Sequence, residues 1–206
     1  MDIERIDDPE LIARLGQSEG PRTRDKLHLS DIYGSLMREL QPARFDKRDI
    51  SGNKTPMDLV KVETGLVMEN MLERGLREKF ATVRPGEIVS DEGVYMSPDG
   101  VNPTECCGEE YKCTWMSSRN SKGTTPYTDE YGMPTPKYLH WFLQMKAYAR
   151  ALQTDTFLLR VLHINGNYEH PYQPEFLTHR MRFTETEIEE NWSMLMMHAR
   201  RRGMLL

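Results

Sequence analysis

Residues 97–114 read SPDGVNPTECCGEEYKCT, and this stretch is the most informative part of the chain for both fold and chemistry. The Pro-Asp-Gly sequence that contains Asp99 is typical of a turn at a strand end. Glu110 and Lys112 are two residues apart, so in a strand their side chains project from the same face. The stretch therefore predicts a turn and a strand that can bring Asp99, Glu110 and Lys112 together.

Two acids and a lysine in one place suit the hydrolysis of phosphodiester bonds. Carboxylate oxygens hold Mg²⁺, which polarises a phosphoryl oxygen and lowers the pKa of bound water, while an ammonium group orients that water. A plainer interpretation is also open at this point. Glu110 and Lys112 can form an exposed ion pair that contributes ~0.2 to 1 kcal/mol, and Pro-Asp-Gly can be only a turn.

The remainder of the chain predicts alternating helices and strands. Residues 87–112 divide into three strand-like pieces separated by Gly and Asn-Pro, which favours an antiparallel meander. Residues 137–153 are typical of an amphipathic helix, and TFLLRVLHI at 156–164 of a buried strand. RMRF at 180–183 predicts an edge strand. Thr184 with Glu187 predicts a capping box for a last helix that ends near Gly203.

Two helices are predicted before the central stretch. Ser30 is the expected N-cap of the first, which ends at Pro42, and residues 44–55 are polar and predict a loop. The second helix runs from the Thr55 cap to about Phe80. Its apolar face also carries two acids, Glu69 and Glu73, and periodicity alone does not choose between them.

Composition narrows the classes of protein that this chain can belong to. Hydrophobic residues make up 38% and charged residues 29%, and no apolar run is long enough for a membrane span. The N-terminus lacks the features of a signal peptide, so we expect a cytoplasmic protein. The formal net charge of −5 argues against a protein that simply coats nucleic acid. The three clustered cysteines indicate reduced thiols rather than disulfides or zinc.

Residues 116–136 form a long polar stretch whose role the sequence leaves open. Loops of this length in a compact domain are usually functional or disordered. Arg119, Lys122 and Tyr127 are placed to contact a DNA backbone, and a mobile linker is the alternative. The six histidines form no HxH or HxxxH pair, so we expect them to serve packing rather than metal binding.

The ordered combination of these motifs resembles the PD-(D/E)XK nuclease superfamily, in which Pro-Asp is followed by Glu-x-Lys in a neighbouring strand. Here the motif reads Pro98-Asp99 and Glu110-Tyr111-Lys112. SPDG followed by Glu-x-Lys-Cys is most similar to the lambda-exonuclease-type, YqaJ-like viral recombinases. Their preceding helix carries Gly-x-x-x-Glu-Asn, matched by Gly65, Glu69 and Asn70, and this match favours Glu69 over Glu73.

A third motif lies downstream and leaves the subfamily open. Gln144 and Tyr148 match the Gln-x-x-x-Tyr helix of RecB-like nucleases in the same superfamily. Lambda-type enzymes usually have Gln-x-Gln, but the third position here is Lys146. RecB-like relatives with an iron–sulfur cluster use four spaced cysteines, which this chain lacks, so we expect no such cluster.

The resemblance implies a restriction-endonuclease-like α/β core, with helix, three-strand meander, helix and strand building a mixed central sheet flanked by helices. One domain would span residues 1–206, with its core at about 56–165, an N-terminal helical region at 1–55 and a C-terminal helix at about 184–203. The implied metal ligands for Mg²⁺, with Mn²⁺ as a substitute, are Glu69, Asp99, Glu110 and the carbonyl of Tyr111. The implied catalytic residues are Asp99, Glu110, Lys112 and Gln144.

The expected function is that of a phage-type exonuclease that resects double-stranded DNA ends for recombination. Its expected DNA contacts are Ser30, Arg119, Lys122, Lys146 and Tyr148, and its expected partners are a single-strand annealing protein and further copies of itself. Two alternatives stay open. One is a structure-specific or restriction-type endonuclease of the same superfamily, and the other is an inactive DNA-binding or virion protein that keeps the fold.

Overall fold

The computed structural model describes residues 26–45, 56–80, 82–120 and 125–205 of the chain. In chain order the elements are α1 (Leu29–Leu40), α2 (Pro42–Phe45), α3 (Pro56–Phe80), β1 (Ile88–Val89), β2 (Tyr95–Met96), β3 (Gly100–Asn102), β4 (Cys107–Thr114), α4 (Leu139–Leu152), β5 (Thr156–His163), β6 (Glu175–Arg182) and α5 (Glu185–Arg201). None of the helices in these ranges combines the length and apolar character that crossing a membrane requires.

The centre of the molecule is a four-stranded mixed sheet in the order β3-β4-β5-β6. β4 and β5 run parallel, in a register that places Glu110 opposite Leu159 and Lys112 opposite Val161. Helix α4 makes the crossover between them, as parallel neighbours require. β3 and β6 are antiparallel to their neighbours. The predicted mixed sheet flanked by helices is therefore confirmed, and so is the buried strand, since nearly all of β5 is buried.

The prediction of one three-stranded meander is wrong. β1 and β2 form a separate two-stranded sheet, whereas β3 pairs with β4 in the main sheet. The predicted strand at 94–101 is thus divided in two by residues 97–99, which include Pro98. Proline has no N–H to donate to a strand ladder, so pairing stops there and Asp99 lies between two short strands.

The first helix also differs from its prediction. α1 begins at Leu29, and its N-cap is His28, whose N–H donates to Asp31 Oδ2 at 3.1 Å. Ser30 therefore lies within the first turn and is not the cap. Pro42 starts the short helix α2, because a proline is tolerated where the N–H has no helical partner. Residues 44–45 of the predicted loop are helical, and residues 46–55 lie outside the described residues, as does Thr55.

The remaining elements agree with their predictions. α3 ends at Phe80 and α4 spans Leu139–Leu152. β6 is an edge strand that begins five residues before the predicted RMRF. At the start of α5, Thr184 Oγ1 accepts from Glu187 N–H at 3.2 Å, and Glu187 Oε2 accepts from Thr184 N–H at 2.9 Å. The core lies where α4 packs on the main sheet and where α1 and α5 pack on α4.

Candidate active site

The break before β3 positions Asp99 against the middle of β4. Asp99 Oδ2 accepts a hydrogen bond from the backbone N–H of Tyr111 at 2.7 Å. Tyr111 lies between Glu110 and Lys112, so this bond holds the Asp99 carboxylate beside both side chains. The Lys112 ammonium contacts Glu110 Oε1. The structure therefore brings together the three residues on which the sequence motif depends.

The pair formed by Glu110 and Lys112 is not the exposed ion pair of the plainer interpretation. Glu110 is completely buried, and its Oε2 atom has no hydrogen-bond partner. A buried polar atom without a partner costs roughly 1 to 3 kcal/mol. A carboxylate in this state is poorly explained as a contribution to stability alone.

Burial and mutual repulsion dominate the electrostatics of the site. Burial, together with the nearby Asp99 carboxylate, raises the pKa of Glu110 to about 8. Burial also raises the pKa of Asp99, although Lys112 opposes it. Burial alone would lower the pKa of Lys112, but the Glu110 and Asp99 carboxylates raise it above its ordinary value. Lys112 is therefore cationic, and its single positive charge faces two carboxyl groups, those of Asp99 and Glu110.

Helix α3 contributes a third carboxylate. Burial and the nearby Asp99 raise the pKa of Glu69. Its Oε1 accepts from Arg84 at 2.7 Å, and the same guanidinium reaches Glu73 Oε2 at 3.4 Å. Of the two acids, only Glu69 lines a cavity of about 270 Å³ that Lys112 also borders. The cavity thus favours the residue that the Gly-x-x-x-Glu-Asn match indicates.

Helix α4 reaches the same site at Lys112. Lys112 Nζ donates to Gln144 Oε1 at 3.3 Å, and Gln144 Nε2 donates to the Tyr148 hydroxyl at 3.2 Å. Gln144 and Tyr148 are both buried. The spacing of four residues places them on one face of the helix, so the two predicted α4 residues lie in one chain of hydrogen bonds with Lys112.

Other predicted DNA contacts lie elsewhere. Lys146 Nζ donates to Glu187 Oε1 at 3.0 Å and lies over the Phe183 ring, next to the start of α5. Arg119 is exposed in the loop after β4, and Lys122 is outside the described residues. The expected contact between Tyr127 and DNA is wrong, because Tyr127 is fully buried and its hydroxyl is 2.6 Å from His163 Nε2.

Two further residues near the site, Arg84 and Tyr33, carry no motif that identifies them. Arg84, before β1, pairs with Glu69, and its charge opposes the rise that burial causes in the pKa of Asp99. Tyr33 of α1 is close enough to Lys112 to raise the pKa of the lysine. Ser30 lies one helical turn before Tyr33, on the same side of α1. Arg160, behind the site, did leave a signal, because it is the one charge in an otherwise apolar strand.

The donor set suits a hard divalent cation. Asp99, Glu110 and Glu69 offer carboxylate oxygens, the ligands that Mg²⁺ prefers. The unpartnered Glu110 Oε2 and the raised pKa values of all three acids indicate a site short of positive charge. Within the described ranges no three His, Cys, Asp or Glu side chains are arranged so that they could hold a metal ion together. Instead, Lys112 and Arg84 contact two of the acids. The residues fit the cation in kind, with two basic side chains beside them.

Comparison with known proteins gives distant structural neighbours. No family model and no curated protein matches the sequence. The fold is similar to the crystal structure of SSO0001, at 12% identity and a TM-score of 0.47, covering 91% of this chain and 85% of that one. It is also similar to an alkaline exonuclease, LHK-Exo from Laribacter hongkongensis, at 16% identity and a TM-score of 0.48, covering 92% and 89%. The structure of LHK-Exo in complex with dAMP has 17% identity, a TM-score of 0.46 and the same coverage. Similarity at this level does not identify a function.

Proposed function

We propose that this chain is a metal-dependent DNA nuclease that hydrolyses phosphodiester bonds, with an exonuclease acting on the ends of double-stranded DNA as the favoured form. The observation that carries the proposal is the buried Glu110 carboxylate, which has one oxygen on Lys112 and the other without a partner. Asp99 lies beside it through the Tyr111 N–H bond. This is the Pro-Asp and Glu-x-Lys combination, brought to one point in space.

Asp99, Glu110, Glu69 and the Tyr111 carbonyl would hold Mg²⁺ or Mn²⁺. The cation, when bound, supplies Lewis-acid activation of the phosphoryl oxygen and of the attacking water. Glu69 must exchange its contact with Arg84 for this role, and the released guanidinium is then available to a phosphate.

Lys112 is the residue that orients the attacking water and stabilises the negative charge of the transition state. Its ammonium is cationic at neutral pH because Glu110 and Asp99 raise its pKa. Gln144 Oε1 accepts from Lys112 Nζ, and the Gln144 amide is held by Tyr148. Glu110 and Gln144 thus restrict where the ammonium lies, and a fixed donor contributes more to catalysis than a mobile one.

The biological role that we propose is resection of double-stranded DNA ends by a phage-type recombination exonuclease. A single-strand annealing protein would be its partner, and self-association of the chain belongs to the same proposal. These points rest on the motif resemblance.

Digestion of DNA tests the function directly. End-labelled linear duplex and covalently closed circles are incubated with Mg²⁺, Mn²⁺ or EDTA. We expect loss of linear DNA from its ends with either metal, intact circles, and no reaction in EDTA. Lys112→Met is the matched control and should lose turnover while metal binding persists, because an ammonium group does not ligate a cation.

The outcomes separate the alternatives. Efficient nicking of closed circles would indicate an endonuclease that uses the same site, rather than an exonuclease. DNA binding without cleavage in any metal would favour an inactive DNA-binding protein. Cleavage by Lys112→Met at the wild-type rate would contradict the role that we assign to Lys112.

A further inference from the structure

Three segments at one end of the main sheet are held together by hydrogen bonds and close packing. They are the loop 115–119 after β4, the turn 164–168 after β5 and the segment 172–176 that leads into β6. Hydrogen bonds join the first two, from Ile164 N–H to Thr114 O at 2.9 Å, from Ser118 N–H to Gly166 O at 2.9 Å and from the Tyr168 hydroxyl to Trp115 O at 2.7 Å. Gly166 packs so tightly on the third that an added Cβ would lie 2.2 Å from Gln173 O.

This end of the sheet exposes four large aromatic side chains, which we call the aromatic platform. Their exposed fractions are 47% for Trp115, 48% for Tyr168, 64% for Tyr172 and 44% for Phe176. Rings of this size are usually mostly buried, and a cluster of exposed ones marks an interaction surface. The other two tryptophans of the chain are buried in the core. We therefore expect the platform to bind a ligand that packs against aromatic rings.

The backbone holds one of these rings outward in an unfavourable conformation. Tyr168 has a φ of +69°, in the left-handed region that residues with a Cβ rarely adopt. Its hydroxyl bond to Trp115 O keeps the two segments in register. Conformations of this kind persist where surrounding contacts enforce them and are concentrated at functional positions. The platform is thus a preformed surface.

The position of the platform connects it to the candidate active site. Trp115 follows Lys112 by three residues on the same chain segment, a distance of at most about 10 Å. Cys113, two residues before Trp115, lines the cavity that Glu69 and Lys112 also border. Trp115 and Lys112 thus lie at the same end of β4, while Phe176 projects from the sheet face that carries Glu109, opposite to the Glu110 face.

A free basic side chain lies on the same loop. Arg119 is exposed, and among the described residues its guanidinium has no ion-pair partner. An unpaired guanidinium beside aromatic rings provides a phosphate contact next to stacking surfaces, the combination by which proteins bind single strands.

We propose that the aromatic platform binds single-stranded DNA, with bases stacked on the rings of Trp115, Tyr168, Tyr172 and Phe176 and a backbone phosphate on Arg119. The choice of DNA rests on the proposed function. The stacking itself does not, because it requires no metal and no hydrolysis.

Binding of a fluorescein-labelled oligo-dT to the full chain in EDTA tests this inference without cleavage. We expect saturable binding and quenching of tryptophan fluorescence, since Trp115 is the exposed tryptophan. Stacking contributes ~1 to 3 kcal/mol per base, so Trp115→Ala should weaken binding by roughly tenfold and abolish the quenching. Tyr172→Ala, at the most exposed ring of the platform, should weaken binding to a similar degree.

Two controls separate stacking from charge and from general aromatic exposure. An abasic oligonucleotide of equal length keeps the phosphates but has no bases, and we expect it to bind at least tenfold more weakly. Tyr131 is 83% exposed but lies outside the platform, so Tyr131→Ala should bind oligo-dT as the wild type does. Melting temperatures of all variants should match that of the wild type.

Wild-type affinity in both Trp115→Ala and Tyr172→Ala, or equal binding of the abasic strand, would overturn the proposal. So would sedimentation that shows self-association lost in Trp115→Ala with oligo-dT affinity unchanged, since the platform would then be an interface between copies. Oligo-dT binding without cleavage of linear duplex in Mg²⁺ would remove the proposed hydrolysis and keep the platform. Cleavage without base-dependent binding would do the reverse.

Discussion

Glu109 and Glu110 are consecutive residues of β4, both completely buried, and their side chains project to opposite faces of the sheet. On one face Glu109 accepts from Arg160 at 2.7 Å and from the Tyr111 hydroxyl at 2.7 Å. On the other face Glu110 has Lys112 on one oxygen and no partner on the second. Burial alone therefore does not distinguish these two glutamates.

The difference between the two faces lies in how each charge is balanced. On the Glu109 face both carboxylate oxygens have a partner, and Arg160 also donates to Thr178 at 3.1 Å. On the Glu110 face burial raises the pKa of Asp99 and of Glu110, and nearby acids add to both shifts. A paired buried charge stabilises one arrangement of the fold, whereas an underpaired one at a cavity keeps capacity for a ligand. We read the first face as structural and the second as functional.

The largest effect is expected from breaking the paired face. Arg160→Met leaves Glu109 buried without its cation, which costs about 3 to 5 kcal/mol of unfolding free energy. Lys112→Met should cost less, because Glu110 has a pKa of about 8 and can stay protonated at neutral pH. Urea denaturation of both variants measures the difference.

The double variant Glu109→Gln with Arg160→Met is the control for this prediction, since it removes both charges together. We expect it to recover part of the stability lost in Arg160→Met. If Lys112→Met were the less stable of the two single variants, the assignment of the faces would be reversed.

The next largest effect concerns activity on the underpaired face. Asp99→Asn and Glu110→Gln should each leave a folded protein and lower nuclease activity by at least ~10²-fold, because each removes charge stabilisation that a held metal provides. Initial rates on linear duplex with Mg²⁺ measure this. A wild-type rate in either variant shows that the site is assigned to the wrong residues.

Metal binding should stabilise the wild-type protein. A ligand that binds only the native state at ~100 times its Kd contributes ~2.7 kcal/mol, or several degrees in melting temperature. Mn²⁺ or Mg²⁺ should therefore raise the melting temperature of the wild type. Asp99→Asn removes one ligand and one repelling charge, so we expect an equal or higher melting temperature in EDTA and a smaller rise with metal. No response of the wild type to millimolar Mn²⁺ would count against a shared metal site.

The last effect is expected from pH in EDTA. The folded state holds a proton on Glu110 up to about pH 8, whereas the unfolded chain releases it near 4.5. Between these values the folded state binds more protons, so stability falls as pH rises. Melting temperatures of the wild type from pH 5 to 8.5 should decline more steeply than those of Glu110→Gln. Parallel curves would show that Glu110 is not the group responsible.

The local patterns of the chain were readable without the structure. Helical periodicity placed α4, the capping pair of Thr184 and Glu187 placed α5, and the apolar run placed β5, because each signal depends on neighbours a few residues apart. The spacing of Glu110 and Lys112 placed both on one face of a strand. The meander and the Ser30 cap were wrong, since pairing partners and helix ends depend on contacts that local patterns do not contain.

The sequence by itself determined the candidate residues Asp99, Glu110 and Lys112, because their types and order are written in 14 consecutive positions, 99–112. Only the tertiary structure decided which buried glutamate is paired. Arg160 meets Glu109 from 51 residues away, and Gln144 meets Lys112 from 32. The aromatic platform likewise exists only where three segments at the ends of β4, β5 and β6 meet. Charge balance and exposure are properties of three-dimensional neighbours, so no spacing along the chain records them.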